Sequence, residues 1–153
     1  MSNTGARSDP LSAGALEQIE EIVARHSKRM GALLPILHDI QDGFGYIPAD
    51  AVPVIAGALN LSRAEVHGTI SFYHDFRERP AEKPVVKLCR AEACKARGVE
   101  AIVPLLEQDG RVQVETVYCL GLCASGPSAL VGDQVFGRLD ETNVTHLADE
   151  AVA

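Results

Sequence analysis

The cysteines are the feature of this chain that most constrains its fold. All four lie in the second half of the 153 residues, where Cys89 and Cys94 form a C-x4-C pair and Cys119 and Cys123 form a C-x3-C pair. Four thiolates are the number that hold one iron–sulfur cluster or one structural zinc ion. If the cysteines act as a single site, the fold must bring two loops together across the 24 residues that separate the pairs.

The N-terminal residues and the apolar runs indicate a cytoplasmic protein. The first ten residues are polar and lack the apolar core of a signal peptide. No run of the sequence approaches the roughly 18 apolar residues of a membrane span, so we expect no membrane segment. Because the cytosol keeps thiols reduced, two structural disulfides are disfavoured and a bound metal or cluster is favoured.

The charges of the chain disfavour nucleic acid as a partner. The net charge is −7, and it is spread along the sequence. Residues 1–80 carry seven basic and ten acidic side chains, and residues 81–153 carry seven basic and eleven acidic side chains. No basic stripe is present that could neutralise phosphates. A solvated surface is the simpler interpretation of these side chains.

The first half of the chain has the pattern of a small helical bundle over residues 11–80, preceded by a flexible N-terminus over residues 1–10. Apolar residues recur at helical spacing, and a turn is predicted at the D-G-F-G sequence of residues 42–45. Ser62 and Glu65 have the spacing of a capping box. The predicted helices are 16–30, 31–40, 49–59 and a fourth that begins after Ser62.

The second half has a different pattern, which predicts an α/β domain over residues 84–153. Two prolines and alternating charges at residues 77–84 mark a linker. The order that follows is strand, helix, strand, strand, strand, helix, with a hairpin turn at Gly132-Asp133. We therefore expect an α+β or α/β chain, in which a helical bundle precedes a sheet compatible with the thioredoxin fold. The predicted strands are 85–88, 112–117, 129–131 and 134–136, and the predicted helices are 99–108 and 143–151.

The positions of the cysteines favour a single site. Cys89 ends the first predicted strand, Cys94 lies at or near the start of the next helix, and Cys119 and Cys123 follow the second long strand. Since the two loops leave the same end of neighbouring strands, all four sulfurs can converge. Their number and spacing favour one 2Fe–2S cluster. Structural zinc remains an alternative, although it more often uses C-x2-C pairs, and a C-x-x-C dithiol enzyme or a 4Fe–4S cluster fits less well.

No other motif indicates catalysis. The five histidines follow no metal-binding pattern, and no glycine-rich loop indicates a nucleotide site. We therefore expect the chain to contain no catalytic residues.

Two motifs make the chain resemble a known family: C-R-A-E-A-C at residues 89–94 and Y-C-L-G-L-C at residues 118–123. The chain is similar to the thioredoxin-like 2Fe–2S ferredoxins. Members of this family are the 24-kDa-type subunit of complex I and the equivalent small subunits of NAD-reducing hydrogenases and NAD-dependent formate dehydrogenases. Residues 33–41, 45–48 and 66–73 extend the resemblance into the helical half. It implies a thioredoxin-like 2Fe–2S domain over residues 84–153. It also implies one 2Fe–2S cluster held by Cys89, Cys94, Cys119 and Cys123.

Within the family, residues 72–77, 88–94 and 132–139 most resemble the gamma subunit of cytosolic, molybdenum-dependent, NAD-linked formate dehydrogenases. This resemblance implies an electron-transfer subunit with two partners. One is a flavoprotein that carries FMN and the NAD site; the other is a large molybdenum- and iron–sulfur-containing subunit that oxidises formate. FMN, NAD and the molybdenum cofactor are expected only in those partners. The alternatives are the equivalent small subunit of complex I or of an NAD-reducing hydrogenase, a stand-alone ferredoxin, and a zinc-stabilised interaction module.

Aromatic residues cluster at the end of the predicted bundle, at Phe72, Tyr73 and Phe76 beside His74. They either close the bundle against the linker or dock the flavoprotein partner, since anchoring aromatics are typical of protein interfaces.

Overall fold

A computed structural model of the protein describes residues 11–153, and the chain divides after Pro80 into two compact units. The N-terminal unit ends at Pro80, and the C-terminal unit spans Ala81–Ala153. The flexible N-terminus predicted for residues 1–10 lies outside the described residues. That residues 11–80 and 84–153 are separate folding domains stays a prediction. Between residues 11 and 153, no helix has the length and apolar composition needed to cross a membrane.

The described part of the N-terminal unit is helical, as its pattern predicts. Its helices are α1 (Ala13–His26), α2 (Leu33–Phe44), α3 (Ala51–Leu59) and α4 (Arg63–Phe72). Two predicted boundaries are wrong. Helix α1 ends at His26, and Met30 is fully exposed instead of lying on the buried face. Helix α2 runs through the predicted turn and ends only where Gly45 takes a left-handed conformation, with φ of 77°.

The helix starts of the N-terminal unit follow from local chemistry. The predicted capping box is confirmed: the Ser62 N–H donates to Glu65 Oε2 at 2.8 Å, and the Glu65 N–H donates to Ser62 Oγ at 3.2 Å. Pro35 is tolerated because it lies in the first turn of α2, where its missing N–H has no partner to lose. The apolar faces of the helices form one core. Its fully buried side chains include Ile19, Ile36, Leu37, Ile40, Ile55 and Val66.

The C-terminal unit contains a four-stranded sheet and three α-helices. In chain order its elements are β1 (Val85–Cys89), α5 (Glu92–Ala96), α6 (Val99–Asp109), β2 (Gln113–Val117), β3 (Ala129–Val131), β4 (Gln134–Phe136) and α7 (His146–Val152). A short 3-10 turn, Cys123–Ser125, lies between β2 and β3. The predicted order of strands and helices is confirmed, apart from α5, which the sequence pattern does not predict.

The sheet places β1 at an inner position, and this position determines where the cysteines lie. The strand order is β2-β1-β3-β4, with β1 parallel to β2 and antiparallel to β3. In the parallel pair Cys89 lies opposite Val117, so both strands end at the same edge of the sheet. Gly132 and Asp133 form the predicted hairpin turn, since Val131 pairs with Gln134. The loops that follow β1 and β2 therefore start side by side.

Candidate iron–sulfur site

Cys89 is held at the end of β1 from both sides. Its N–H donates to the Ser128 carbonyl at 2.9 Å, and the N–H of the next residue, Arg90, donates to the Val117 carbonyl at 2.9 Å. The side chain is 2% exposed and belongs to the core of the C-terminal unit. The backbone on either side of this sulfur is thus fixed by neighbouring strands.

Cys94 lies on the short helix α5, five residues after Cys89, and is 1% exposed. The Cys94 thiol lowers the pKa of the Cys89 thiol, and both cysteines belong to the core of the C-terminal unit. The Ser128 Oγ lies 3.7 Å from the Cys94 Sγ. Both sulfurs of this pair are therefore enclosed by protein.

Cys119 and Cys123 lie in the loop that follows β2, and both are exposed. Their Sγ atoms are 3.7 Å apart. Cys119 takes a left-handed conformation with φ of 72°, and Gly121 follows with φ of 78°. This conformation is uncommon for a residue with a side chain, and it turns the chain so that the two sulfurs meet.

The two loops converge on the Cys89 sulfur. Burial raises the pKa of the Cys89 thiol, but the N–H groups of Ala91, Leu120 and Cys119 donate hydrogen bonds to the sulfur and bring its pKa below the ordinary value. Two of these donors come from the second cysteine loop. The structure thus brings all four predicted site residues to one edge of the sheet.

The pKa of the Cys123 thiol is shifted in the opposite direction to that of Cys89. The hydrogen bond with the Cys119 sulfur raises the pKa of the Cys123 thiol above its ordinary value, and the nearby sulfurs of Cys94 and Cys89 act in the same direction. Four thiols placed this close cannot all ionise without a compensating positive charge. A bound metal group would supply that charge and hold the sulfurs as thiolates.

Gly126 allows the backbone to approach the buried pair. A Cβ atom at this position would lie 3.1 Å from the Cys94 Sγ and 3.3 Å from the Arg97 Cδ. Gly137 has a similar role next to the loop, since its Cβ would lie 2.8 Å from the Ser125 carbonyl oxygen. Gly126 therefore leaves room for the Cys94 sulfur next to the backbone.

The cation that follows Cys89 in the sequence is paired with a carboxylate of α6. Arg90 follows Cys89, and its Nε donates to Glu100 Oε1 at 3.0 Å while a second guanidinium nitrogen bonds Glu100 Oε2. This ion pair holds the pKa of Glu100 below its ordinary value. It joins the loop after β1 to helix α6.

The arrangement of donors fits a cluster with two metal atoms. Four sulfurs lie at one sheet edge as two pairs: Cys89 and Cys94 lie in the core, and the Sγ atoms of Cys119 and Cys123 are 3.7 Å apart. Iron–sulfur clusters of the 2Fe–2S type take four thiolates.

Ser128 is the site residue that sequence reasoning misses. Its hydroxyl and its carbonyl contact Cys94 and Cys89, respectively, yet it lies 34 residues after Cys94 in the sequence. The sequence signal for it is weak: it is one of two serines, Ser125 and Ser128, in a 16-residue segment, 117–132, that contains no charged residue.

The fold and the donor set define a thioredoxin-like protein with an all-cysteine site. The family model described as "Thioredoxin-like [2Fe-2S] ferredoxin" matches residues 19–151, and the chain therefore belongs to this family. Family membership confirms the predicted cofactor, one 2Fe–2S cluster, and sets aside the zinc alternative. The assignment of individual ligands stays a prediction.

Among curated proteins, the chain is similar to components of hydrogenases and of NADH–quinone oxidoreductases. It is 27% identical to the NADP-reducing hydrogenase subunit HndA of Solidesulfovibrio fructosivorans, over 87% of this chain and 84% of the relative. It is 31% identical to an NADH-quinone oxidoreductase subunit of Rhizobium meliloti strain 1021, over 87% of this chain and 86% of the relative.

Two longer proteins contain a similar segment. The NAD-reducing hydrogenase HoxS subunit alpha of Cupriavidus necator is 29% identical over 85% of this chain, which spans 23% of that relative. Among solved structures, the NAD+-reducing [NiFe]-hydrogenase in its air-oxidised state matches with a TM-score of 0.65 and 25% identity. That match covers 78% of this chain and 22% of the solved chain.

Proposed function

We propose that this chain is the electron-transfer subunit of an NAD-linked oxidoreductase complex. The observation that carries the proposal is the convergence of two cysteine pairs at one sheet edge in a member of a 2Fe–2S ferredoxin family. The similar proteins named above are subunits of hydrogenases that reduce NADP or NAD and of NADH–quinone oxidoreductases. Because a 2Fe–2S cluster exchanges one electron at a time, a chain that holds one and belongs to such a complex is suited to relay electrons between its redox groups.

We propose that Cys89 and Cys94 hold one side of the cluster and that Cys119 and Cys123 hold the other. When bound, a 2Fe–2S cluster accepts and returns one electron at a time. The Ala91, Leu120 and Cys119 N–H groups stabilise charge on the Cys89 sulfur, and burial of the first pair excludes water from it. The exposed second pair is where a partner's redox group can approach most closely.

The longer relatives support a partner subunit. In HoxS subunit alpha and in the solved hydrogenase, a segment like this chain accounts for 23% and 22% of one polypeptide, so it is covalently joined to the rest. We propose that the present chain binds an equivalent partner, a flavoprotein with FMN and the NAD site, as the family resemblance implies. The FMN, the NAD and any molybdenum cofactor would then reside in partner subunits.

We further propose that the complex is an NAD-dependent formate dehydrogenase, with this chain as its gamma subunit. Support comes from the resemblance of residues 72–77, 88–94 and 132–139 to that branch of the family. A large subunit with molybdenum and iron–sulfur centres would oxidise formate. The alternatives are the equivalent subunits of a hydrogenase or of complex I, which the similar proteins named above represent.

A cytoplasmic location is part of the same proposal. All four cysteines are free thiols in the structure, and a site that needs four reduced sulfurs fits a reducing compartment.

The test is purification of the native complex through an affinity tag on this chain, with the untagged strain as the control. We expect molybdenum, flavin and iron in the complex, together with formate-dependent NAD+ reduction. Nickel with hydrogen-dependent NAD+ reduction would assign the chain to a hydrogenase instead, and NADH–quinone activity with neither metal would assign it to complex I. The isolated chain should carry a cluster and catalyse none of these reactions. Turnover by the isolated chain would overturn the assignment as an electron carrier.

A further inference from the structure

Ser128 places a buried hydroxyl against a cysteine of the site. Its side chain is 1% exposed, and among residues 11–153 the buried polar side chains are those of Ser128 and Gln41. The Ser128 Oγ lies 3.7 Å from the Cys94 Sγ, which is itself 1% exposed. Within the described part of the chain, the Ser128 hydroxyl forms its hydrogen bond with the Cys94 sulfur. A buried hydroxyl costs free energy unless it is bonded, so the contact with Cys94 compensates for its burial.

The backbone holds this hydroxyl in place. The Ser128 carbonyl accepts the Cys89 N–H at 2.9 Å, and the next residue, Ala129, begins β3 and pairs with Leu88 of β1. Ser128 thus contacts both cysteines of the buried pair, one through its main chain and one through its side chain. The hydroxyl hydrogen can rotate about the C–O bond, so the proton can point at the sulfur.

The direction of the hydrogen bond follows from the ligand chemistry. In a free thiol, either the sulfur or the hydroxyl can donate. A cysteine that binds iron is a thiolate and carries no proton, so its sulfur can only accept. With a cluster bound, Ser128 is therefore the donor and the Cys94 sulfur is the acceptor.

We propose that Ser128 is a positioning residue that raises the reduction potential of the cluster through its hydrogen bond to the Cys94 thiolate. The inference rests on the proposed function, because it requires Cys94 to be a cluster ligand. It goes further by naming a residue that sets the potential at which the chain accepts an electron.

The charge balance gives the sign of the effect. Four thiolates and an oxidised 2Fe–2S core carry −2 in total, and one electron from a reductant such as dithionite brings the site to −3, with no bond formed or broken. A donor aimed at a sulfur stabilises the more negative state more strongly, so it favours reduction. Burial of both partners strengthens the effect, since little water screens it.

The test is a dithionite redox titration of the purified holoprotein, in which the EPR signal of the reduced cluster measures the fraction reduced at each potential. Ser128→Ala removes only the hydroxyl oxygen. We expect the ratio of reduced to oxidised cluster at a fixed potential to fall by up to about tenfold, which is about 59 mV for a one-electron couple. Ser125→Ala is the matched control. It removes a hydroxyl from the same loop that makes no hydrogen bond to a described cysteine, and we expect no shift.

A second pair of variants separates hydrogen bonding from packing. Ser128→Thr and Ser128→Val add side chains of nearly the same shape, but only threonine keeps the hydroxyl. We expect the potential of Ser128→Thr to stay near that of the parent and the potential of Ser128→Val to fall. If Ser128→Ala fails to fold, the comparison of these two variants still tests whether the hydroxyl raises the reduction potential.

An unchanged potential in Ser128→Ala, or equal potentials for the threonine and valine variants, would overturn the role of Ser128 and leave the proposed function intact. A parent chain that binds no 2Fe–2S cluster would overturn both.

Discussion

The side chain of Gln41 accepts a hydrogen bond from the backbone of Arg77: the Arg77 N–H lies 2.7 Å from Gln41 Oε1. The Nε2 of the same amide donates to the Asp75 carbonyl, also at 2.7 Å. Gln41 is 8% exposed and lies on α2, so one side chain ties the segment after α4 to the core of the N-terminal unit. Phe76, between the two bonded residues, is thereby held in that core.

We expect Gln41→Leu to lower the free energy of unfolding of the N-terminal unit by about 1–3 kcal/mol, because the Asp75 carbonyl and the Arg77 N–H would each lose a part-buried hydrogen bond. Chemical denaturation measures the change. Gln18→Leu is the matched control, since Gln18 is exposed on α1 and should change stability by less than about 0.5 kcal/mol. Equal effects of the two variants would contradict the assigned role of Gln41.

The ligand assignment predicts that each of the four cysteines is needed. We expect about two irons and two sulfides per chain in the parent protein. Cys→Ser at Cys89, Cys94, Cys119 or Cys123 should distort or lose the cluster, and Cys→Ala should lose it more completely because no oxygen can substitute. Iron and sulfide analysis with the visible spectrum measures this. Ala124→Ser, in the exposed loop beside Cys123, is the control and should leave the spectrum unchanged. A cysteine that tolerates alanine with a parental spectrum is not a ligand.

Cluster removal should destabilise the C-terminal unit selectively. Cys89 and Cys94 belong to its core, and at 73 residues the unit is of a size at which burial alone gives marginal stability. A loss of about 2 kcal/mol lowers the melting temperature of such a domain by roughly 8–16 °C. Hydrogen exchange of anaerobic holoprotein and apoprotein should show faster exchange in β1–β4 of the apoprotein and little change in α1–α4. Equal melting temperatures for the two forms would refute this prediction.

The exposed aromatics at the end of α4 should contribute to partner binding. Phe72 is 73% exposed and Tyr73 is 43% exposed, and their rings make an edge-on contact with centroids 5.2 Å apart. Phe76 is buried, so it closes the bundle instead, with its ring 4.9 Å from that of His38. Burial thus favours the bundle-closing interpretation for Phe76, and docking stays a prediction for Phe72 and Tyr73.

If Phe72 and Tyr73 dock the flavoprotein partner, the double variant Phe72→Ala, Tyr73→Ala should weaken the complex by about tenfold or more and leave the cluster spectrum unchanged. Pull-down titration with the purified flavoprotein measures the affinity. Met30→Ala removes a fully exposed apolar side chain elsewhere and should have no effect. Unchanged affinity of the double variant would place the interface on another surface.

The sequence predicts the fold to a large extent because most elements carry strong local signals. The capping box at Ser62, the turn at Gly132-Asp133 and the apolar strand that ends at Cys89 each specify their own geometry. Errors occur where local signals compete. Gly43 suggests a turn, but α2 continues through it, and the helix ends at Gly45 where the backbone takes a positive φ.

Other features depend on residues that are distant in the sequence. Helix α5 has five residues, which is too short for a helical period to appear. The partners of Ser128 and Gln41 lie 34 to 39 residues away and are known only once the chain is folded. The four cysteines could be assigned to one site from strand order alone, whereas the exposure of one pair and the burial of the other depend on three-dimensional packing.

The pairing of Cys89 with Val117 has a consequence for how such chains can vary in length. Because the parallel register of β1 and β2 places both cysteine loops at one edge, the segment between the pairs does not set the distance between the sulfurs. Helix α6 and the exposed Gly110 after it lie in that segment. Residues inserted at Gly110 would lengthen the interval between the pairs at a small entropic cost, about 0.6 kcal/mol for each doubling of the loop. We therefore expect the C-x4-C and C-x3-C spacings to be constrained by the site. The number of residues between the two pairs, 24 in this chain, can change without moving the sulfurs apart.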